Sequence, residues 1–371
     1  MIDIPMITTT QGVTELANRL QDEQIVACDL EADSLHRYQE KVCLIQFSIP
    51  NFSALVDPLA GPDLSPLASV MTNPAIRKVF HGADYDVRSL HRDFGLEIKN
   101  LFDTMIASQF LGKKDLGLAA TLKKRFDVTL NKQSQKADWS RRPLSPEMLN
   151  YAAMDTRFLI DLHMQLEEEL QKKGRLSWVI EECFFLEQVR VAARKNAPLF
   201  LRFKGASRLP PRTLAVLEEL LHFRDEQARR MDRPPFKVVG NETLAELATK
   251  RPLTINTLVD IKGLSENITQ RHGSGLLRAI AKGLAIPDTK LPQYPLSPRP
   301  ERDLRKDSRL KRLKRWREIK ASEMTLDPGI LANNILLEAL ANLPDGAPVN
   351  EIIPRNWQRE LFADEITREL A

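Results

Sequence analysis

Two acidic residues one position apart, Asp29 and Glu31, lie at the end of the apolar run Ile25-Val26-Ala27-Cys28-Asp29-Leu30-Glu31, which reads as a β-strand. Alternate side chains of a strand share a face, so both carboxylates leave the same side of the sheet. Such a pair of hard oxygen donors suits Mg²⁺ or Mn²⁺. An isolated Asp-x-Glu can equally be two polar residues meeting water, so the other acids decide. Asp86 lies in His81-Gly82-Ala83-Asp84-Tyr85-Asp86, where a strand pattern passes into a helical one. Asp155 follows Tyr151 by four residues, which puts phenol and carboxyl on one helix face. Four carboxylates on separate elements, with a phenol beside the last, can hold two divalent ions. Ions about 3.5–4 Å apart can clamp the attacking and leaving oxygens of a phosphodiester displacement.

The elements that must carry these residues follow from hydrophobic patterning. Residues 25–31, 42–49 and 53–57 read as three strands, and their short links favour antiparallel neighbours. Arg77–His81 and Leu101–Asp103 are a fourth and a fifth strand. Helices are expected over Pro66–Met71, Asp84–Phe94 (ended by Gly95), Thr104–Leu111 and Leu116–Phe126. Ser145-Pro146-Glu147, a cap followed by a proline in the first turn, opens a long helix towards Lys173. The fold class is therefore α/β over residues 1–175, a mixed five-stranded sheet covered by helices.

After a bridging helix expected over Leu176–Lys195, and a linker to residue 209, the pattern is all-helical. Pro210-Pro211 and the five prolines of Ile286–Pro300 mark joints. A shift of 93 residues superimposes Leu217 on Leu310, Phe223-Arg224 on Trp316-Arg317, Asn241 on Asn334 and Leu247-Ala248 on Leu340-Ala341 without a gap. A constant register at helical spacing predicts two copies of one small helical domain, over 210–288 and 302–371, joined by a proline-rich linker at 289–301. Truncation near residue 205 should then leave the α/β domain folded.

With 43% hydrophobic and 28% charged residues, the 371-residue chain has an ordinary globular composition. No apolar run reaches the ~18–20 residues a membrane span needs, and the first residues lack the pattern of a secretory signal. Cys28, Cys43 and Cys183 form no CxxC pair, so they read as reduced core thiols of a cytoplasmic protein. Net charge is only +4, yet Arg299–Lys320 holds eleven Lys/Arg against four Asp/Glu. That local excess points to a polyanion or to a solvated helix face.

Asp29-x-Glu31, the His81–Asp86 segment and Tyr151-x-x-x-Asp155 resemble the three exonuclease motifs of the DEDD superfamily, in its tyrosine subclass. Val42-Cys43-Leu44-Ile45-Gln46, Leu101-Phe102-Asp103-Thr104 and Ala137–Leu144 are similar to bacterial ribonuclease D, whose helical HRDC domains the two repeats resemble. The resemblance runs from about residue 10 to the end, with the second repeat the more divergent. It implies a ribonuclease-H-like fold and a 3′→5′ exoribonuclease that trims structured RNAs, including tRNA precursors, and releases 5′-mononucleotides. It also implies that Asp29, Glu31, Asp86 and Asp155 are metal ligands and that Tyr151 positions, or helps deprotonate, the attacking water. A free phenol titrates near ~10, so orienting the water is the easier role.

Gln46, His81, Arg141 and Arg142 are candidate substrate contacts: an amide within an apolar strand, a strand-end imidazole and two guanidiniums in a loop before the Tyr151 helix. Each has a simpler structural use, namely bonds to nearby main chain or an exposed loop. Trp139 reads as a packing anchor and Asp103 as the cap of the Thr104 helix. The expected partners are RNA 3′ ends, with no membrane and no obligate protein partner. A 3′→5′ DNA exonuclease with the same tetrad is the nearest alternative, disfavoured by the HRDC pair. A catalytically inactive RNA-binding scaffold would lack a ligand, whereas all four acids and the tyrosine are present.

Overall fold

A computed structural model describes residues 4–130, 133–192, 197–295 and 303–371. Six strands form one sheet: β1 (Met6–Ile7), β2 (Ile25–Ala32), β3 (Val42–Ile49), β4 (Phe52–Val56), β5 (Arg77–Phe80) and β6 (Leu101–Asp103), in the order β1-β4-β3-β2-β5-β6. The pairs β2–β3 and β3–β4 are antiparallel, whereas β5 joins β2, and β6 joins β5, in parallel. The sequence predicts five strands. The sixth, β1, is two residues long and pairs parallel to the edge strand β4, and two residues carry no alternation by which to recognise a strand.

The ribs of this sheet explain its position in the core. All eight residues of β3 are buried, which accounts for its nearly continuous apolar run. The expected helix from Ser145 to Lys173 is two helices, Pro146–Arg157 and Leu159–Lys172, broken at Phe158 (φ −104°, ψ 2°). No glycine or proline marks that break. Its amino terminus is as expected: Ser145 Oγ accepts from the Met148 N–H and Pro146 opens the first turn. The bridging helix ends at Leu186, well short of Lys195, and residues 193–196 lie outside the described residues. So do residues 296–301 of the expected linker and Arg299 of the basic segment. All three cysteines are buried and none forms a disulfide. No helix among the described residues is long and apolar enough to cross a membrane.

The described residues group into two compact units. One holds the chain up to Ala32, Val42–Val191 and residues 303–371; the other holds Asp33–Lys41 and the described residues from Ala192 to residue 295. In the second unit the helices Pro211–Arg230 and Glu266–Ala285 approach so closely that a Cβ on Gly283 would stand 2.5 Å from Val216 Cα. The loop Asp33–Lys41 joins this unit through Tyr38, whose hydroxyl donates to the Asp225 carboxylate at 2.8 Å.

The repeat is visible as a repeated contact. Arg224 Nη1 donates to Val239 O (3.2 Å) and Asn241 Oδ1 (2.7 Å), and Arg317 Nη1, 93 residues on, donates to Ala332 O (3.0 Å) and Asn334 Oδ1 (3.1 Å). The third helix departs from the register, at Glu266–Ala285 in the first copy and Asn356–Leu370 in the second.

The carboxy-terminal helices do not form a core of their own. Trp357 stacks on Trp178 (5.2 Å, 20°) and meets Phe110 edge-on (5.4 Å, 82°), so one hydrophobic cluster runs from the sheet into these helices. The Glu181 carboxylate accepts from the N–H groups of Asn356 (2.7 Å) and Trp357 (3.1 Å), capping the last helix from another element. Arg175 donates to Phe110 O (2.8 Å) and Met324 O (2.7 Å), and Glu182 accepts from Arg355 Nε and Trp357 Nε1. The basic helix Leu304–Met324 spends part of its charge on this unit: buried Arg309 donates to Leu370 O and Leu343 O and pairs with Asp345. Lys311, Arg312, Lys314 and Arg315 stay exposed.

Cutting near residue 205 would therefore strip apolar and hydrogen-bonding surface from the nuclease unit, contrary to the expectation of an independent α/β fold. A chain ending at residue 295 should melt well below the full chain. Trp357→Ala in the full chain should cost about 3–5 kcal/mol, the usual loss for a large buried aromatic. Equal melting temperatures for wild type and both variants in a calorimetric scan would refute this shared core.

Candidate active site

The two acids of β2 are placed by the sheet. Asp29 stands opposite Gln46 and Glu31 opposite Leu44 on β3, and the register slips between Glu31 and Ala32, ending regular pairing just beyond the pair. Asp86 sits in the first turn of the helix Asp84–Phe94. The turn leading to it needs Gly82, at φ +81°, a left-handed conformation that costs a residue with a side chain. Asp103 fixes that turn by accepting from the N–H groups of Gly82 (2.9 Å) and Ala83 (2.8 Å). The same carboxylate caps the helix Thr104–Phe110 through Met105 and Ile106. Asp155 and Tyr151 come from the helix Pro146–Arg157, tied to β3 by a 2.7 Å hydrogen bond between Ser48 Oγ and Thr156 Oγ1.

The five residues share one electrostatic neighbourhood. Burial, and then the charges of Asp29, Asp155 and Asp86, push the Glu31 carboxyl up to about 10. Burial raises Asp29 to about 7, and burial with the Asp29 charge raises Asp155 to about 8. Asp86, 7% exposed, is raised well above the carboxylate range by burial and then by Asp29. No lysine or arginine among the described residues pairs with any of the four. Among the described residues no three acidic, histidine or cysteine side chains are gathered into a ready-made chelate. Four desolvated carboxyls without a protein counter-charge are a donor set that fits divalent cations. Burial, then Asp155, Glu31 and Asp29, push the Tyr151 phenol far above its ordinary value, so its hydroxyl keeps its proton.

The weaker candidates separate. Gln46 is fully buried, and neither amide atom has a hydrogen-bond partner. His81 Nδ1 lies 2.9 Å from Thr104 Oγ1, Nε2 has no hydrogen-bond partner, and burial lowers the imidazole pKa against the opposing pull of Asp103. Arg142 spends all five N–H groups on the protein: two on Asp57 (2.5 and 2.6 Å) and one each on Trp139 O, Arg141 O and Cys43 O. None remains for a phosphate, so Arg142 fixes the loop instead. Arg141 extends outward, its side chain 80% exposed, with one bond to Asp138 at 3.3 Å. Trp139 is buried under Tyr151, ring centroids 6.0 Å apart.

Sequence patterning did not find the double role of Asp103 or the Ser48–Thr156 tie. Asp103 at a strand end before a helix signals a cap, but its second set of partners lies some twenty residues upstream. Ser48 and Thr156 are 108 residues apart and carry no local signal.

Because each folded carboxyl titrates above its ordinary value near ~4, the native state holds extra protons between that pH and its own pKa. Stability is then full below about pH 4 and falls as pH rises through the folded values, from about 7 for Asp29 to about 10 for Glu31. The metal-free protein should lose melting temperature from pH 5 to pH 9, Mg²⁺ should restore it at pH 8, and Glu31→Gln should flatten the slope. A slope of opposite sign in a pH series of melts would show the carboxyls to be charge-stabilised instead.

Comparison with known proteins gives the same picture. Residues 4–171 match the 3′-5′ exonuclease family and residues 213–280 the HRDC domain. Ribonuclease D of Gluconacetobacter diazotrophicus is 30% identical, with 98% of this chain and 92% of that protein aligned. The crystal structure of Escherichia coli RNase D, described as an exoribonuclease involved in structured RNA processing, superimposes with a TM-score of 0.73 at 27% identity over 100% of this chain and 99% of that one. The catalytic core of RRP6 from Trypanosoma brucei reaches a TM-score of 0.67 at 33% identity, covering 76% and 80%. With matched domains in this order and nearly full-length similarity, the chain belongs to the ribonuclease D family of 3′→5′ exoribonucleases.

Proposed function

We propose that Asp29, Glu31, Asp86 and Asp155 hold two divalent cations, Mg²⁺ or Mn²⁺, and that the enzyme trims tRNA precursors and other structured RNAs to release 5′-mononucleotides. The observation that carries this reading is four carboxyls from three elements, Asp86 and Asp155 buried and Asp29 and Glu31 partly so, with no lysine or arginine paired with them. The cations would neutralise those charges and polarise the phosphodiester and the attacking water.

The chain's own residues supply position. β2 presents two carboxylates on one face, and the turn held by Asp103 brings the third to it. The helix tied down at Thr156 supplies the fourth beside Tyr151. With its pKa raised, Tyr151 does not act as the base; its hydroxyl orients the attacking water by hydrogen bonding. Gln46, opposite Asp29 and wholly buried, keeps both amide atoms without a protein partner. His81 and Arg141 are the side chains left to touch substrate. A cytoplasmic location and the absence of an obligate protein partner accord with this reading.

A trimming assay on labelled RNA and DNA with Mg²⁺ or Mn²⁺ tests it. RNA should be shortened one nucleotide at a time from the 3′ end and DNA much more slowly; preference for DNA would favour the alternative. Asp86→Asn should lower kcat by at least about a hundredfold and leave the fold intact, since removing one of four like charges does not destabilise the apoprotein. Near-normal turnover of Asp86→Asn at saturating Mg²⁺ would remove it from the ligand set. Tyr151→Phe should lower kcat about 10²- to 10⁴-fold while Mg²⁺ binding, read by titration calorimetry, holds. A parallel loss of metal affinity would make Tyr151 a ligand-positioning group.

A further inference from the structure

Within the unit that carries the four carboxyls lies a cavity of about 250 Å³ lined by Ser108, Lys113, Lys114, Thr121, Lys124 and Arg125, with Asp115 and Glu169 at its wall. Four cations against two anions leave the lining net positive. Glu169 fixes two of the cations, taking Arg125 Nη1 at 2.7 Å and Lys113 Nζ at 3.0 Å. Lys114 and Lys124 are exposed, and no acidic partner for either is found among the described residues. Thr121, itself 7% exposed, is one of the lining residues, and its buried hydroxyl has no hydrogen-bond partner. Such a hydroxyl costs free energy unless something accepts its proton.

The backbone adds to the same charge. The nine-residue helix Leu118–Phe126 begins at Gly117 without a side-chain cap, and its third residue, Ala120, lines the cavity. The positive end of a helix with uncapped N–H groups favours an anion. One helix links the cavity wall to His81. Thr104 bonds His81, and Ser108, one turn further along the same helix, donates to Thr104 O at 2.8 Å. One turn is about 5.4 Å.

We propose that this cavity is a phosphate-binding site, which takes either a backbone phosphate of the RNA strand as it enters the carboxylate cluster or the phosphate of the released 5′-mononucleotide. This rests on the exoribonuclease activity above. A phosphate would accept from Thr121 and pair with Lys114 and Lys124, while Glu169 keeps Lys113 and Arg125 in place.

Two variants test it. Lys114→Gln/Lys124→Gln removes the unpaired charges; Thr121→Val removes only the buried hydroxyl and, were that group merely structural, would leave binding alone. Binding of a ten-nucleotide RNA is read by fluorescence anisotropy in a Tyr151→Phe background with Ca²⁺, at two salt concentrations, so that it does not depend on turnover. Inhibition by 5′-AMP is read in the active enzyme, and melting temperatures confirm folding. If the RNA strand is the occupant, the double variant weakens RNA binding about tenfold and lowers the salt slope by about 0.7 per lost contact, and Thr121→Val weakens it by a smaller factor. If the mononucleotide is the occupant, the inhibition constant of 5′-AMP rises and the RNA slope holds. If both variants keep wild-type RNA affinity, salt slope and 5′-AMP inhibition, the phosphate site is refuted. An active wild-type enzyme in that case leaves the exoribonuclease assignment standing, so the two readings fail separately.

Discussion

Four carboxyl groups in one electrostatic neighbourhood, two buried and two partly so, with no protein cation to answer them, set the terms for the rest of this structure. Asp29 raises the pKa of Asp86, Asp155 and Glu31 after burial has already done so, and Glu31 feels all three of the others. A fold left to maximise its own stability would spread such groups apart or pair them with arginine. Here the restraint comes from elements too rigid to yield: a central strand, a glycine turn pinned by Asp103, and a helix fastened to β3 through Thr156. The repulsion is the reason the site suits divalent cations, and those restraints keep it from relaxing.

The surrounding polar groups divide by whether their bonding capacity is already used. Arg142, with every N–H engaged, and Asp103, with four N–H groups on one carboxylate, belong to the frame. Gln46 and the Thr121 hydroxyl are buried with capacity unused, one opposite Asp29 and the other in a cationic cavity. Unused capacity at depth is expensive, so it identifies sites that a ligand or a metal-bound arrangement completes. The phenol of Tyr151 is a third case: burial and then the neighbouring carboxylates push its pKa far above the ordinary value.

Stability of the catalytic unit rests on residues far along the chain. The last helix receives its amino-terminal cap from Glu181, its Trp357 stacks on Trp178, and Arg175 bridges two carbonyls that lie more than two hundred residues apart. The two repeats thus share an ancestral contact, Arg224 and Arg317 each holding the loop and asparagine 15 to 17 residues on, while doing different work. One forms the centre of its own unit, whereas the other gave its apolar face and part of its basic charge to the nuclease core.

What the sequence by itself determined is whatever depends on near neighbours. Alternation in Ile25–Glu31 put Asp29 and Glu31 on one face, four-residue spacing put Tyr151 beside Asp155, Ser145-Pro146 started a helix, and a constant shift of 93 residues exposed the repeat. Strands β2 to β6 and the candidate site residues were legible for that reason. Tertiary structure decided what depends on distant partners. The two-residue β1 exists only because β4 offers an edge. The helix through Asp155 breaks at Phe158 without a glycine or proline, and the guanidinium of Arg142 finds Asp57 across 85 residues. Membership of the carboxy-terminal helices in the nuclease unit was likewise invisible, because an amphipathic helix shows that it must bury one face but not which surface will cover it.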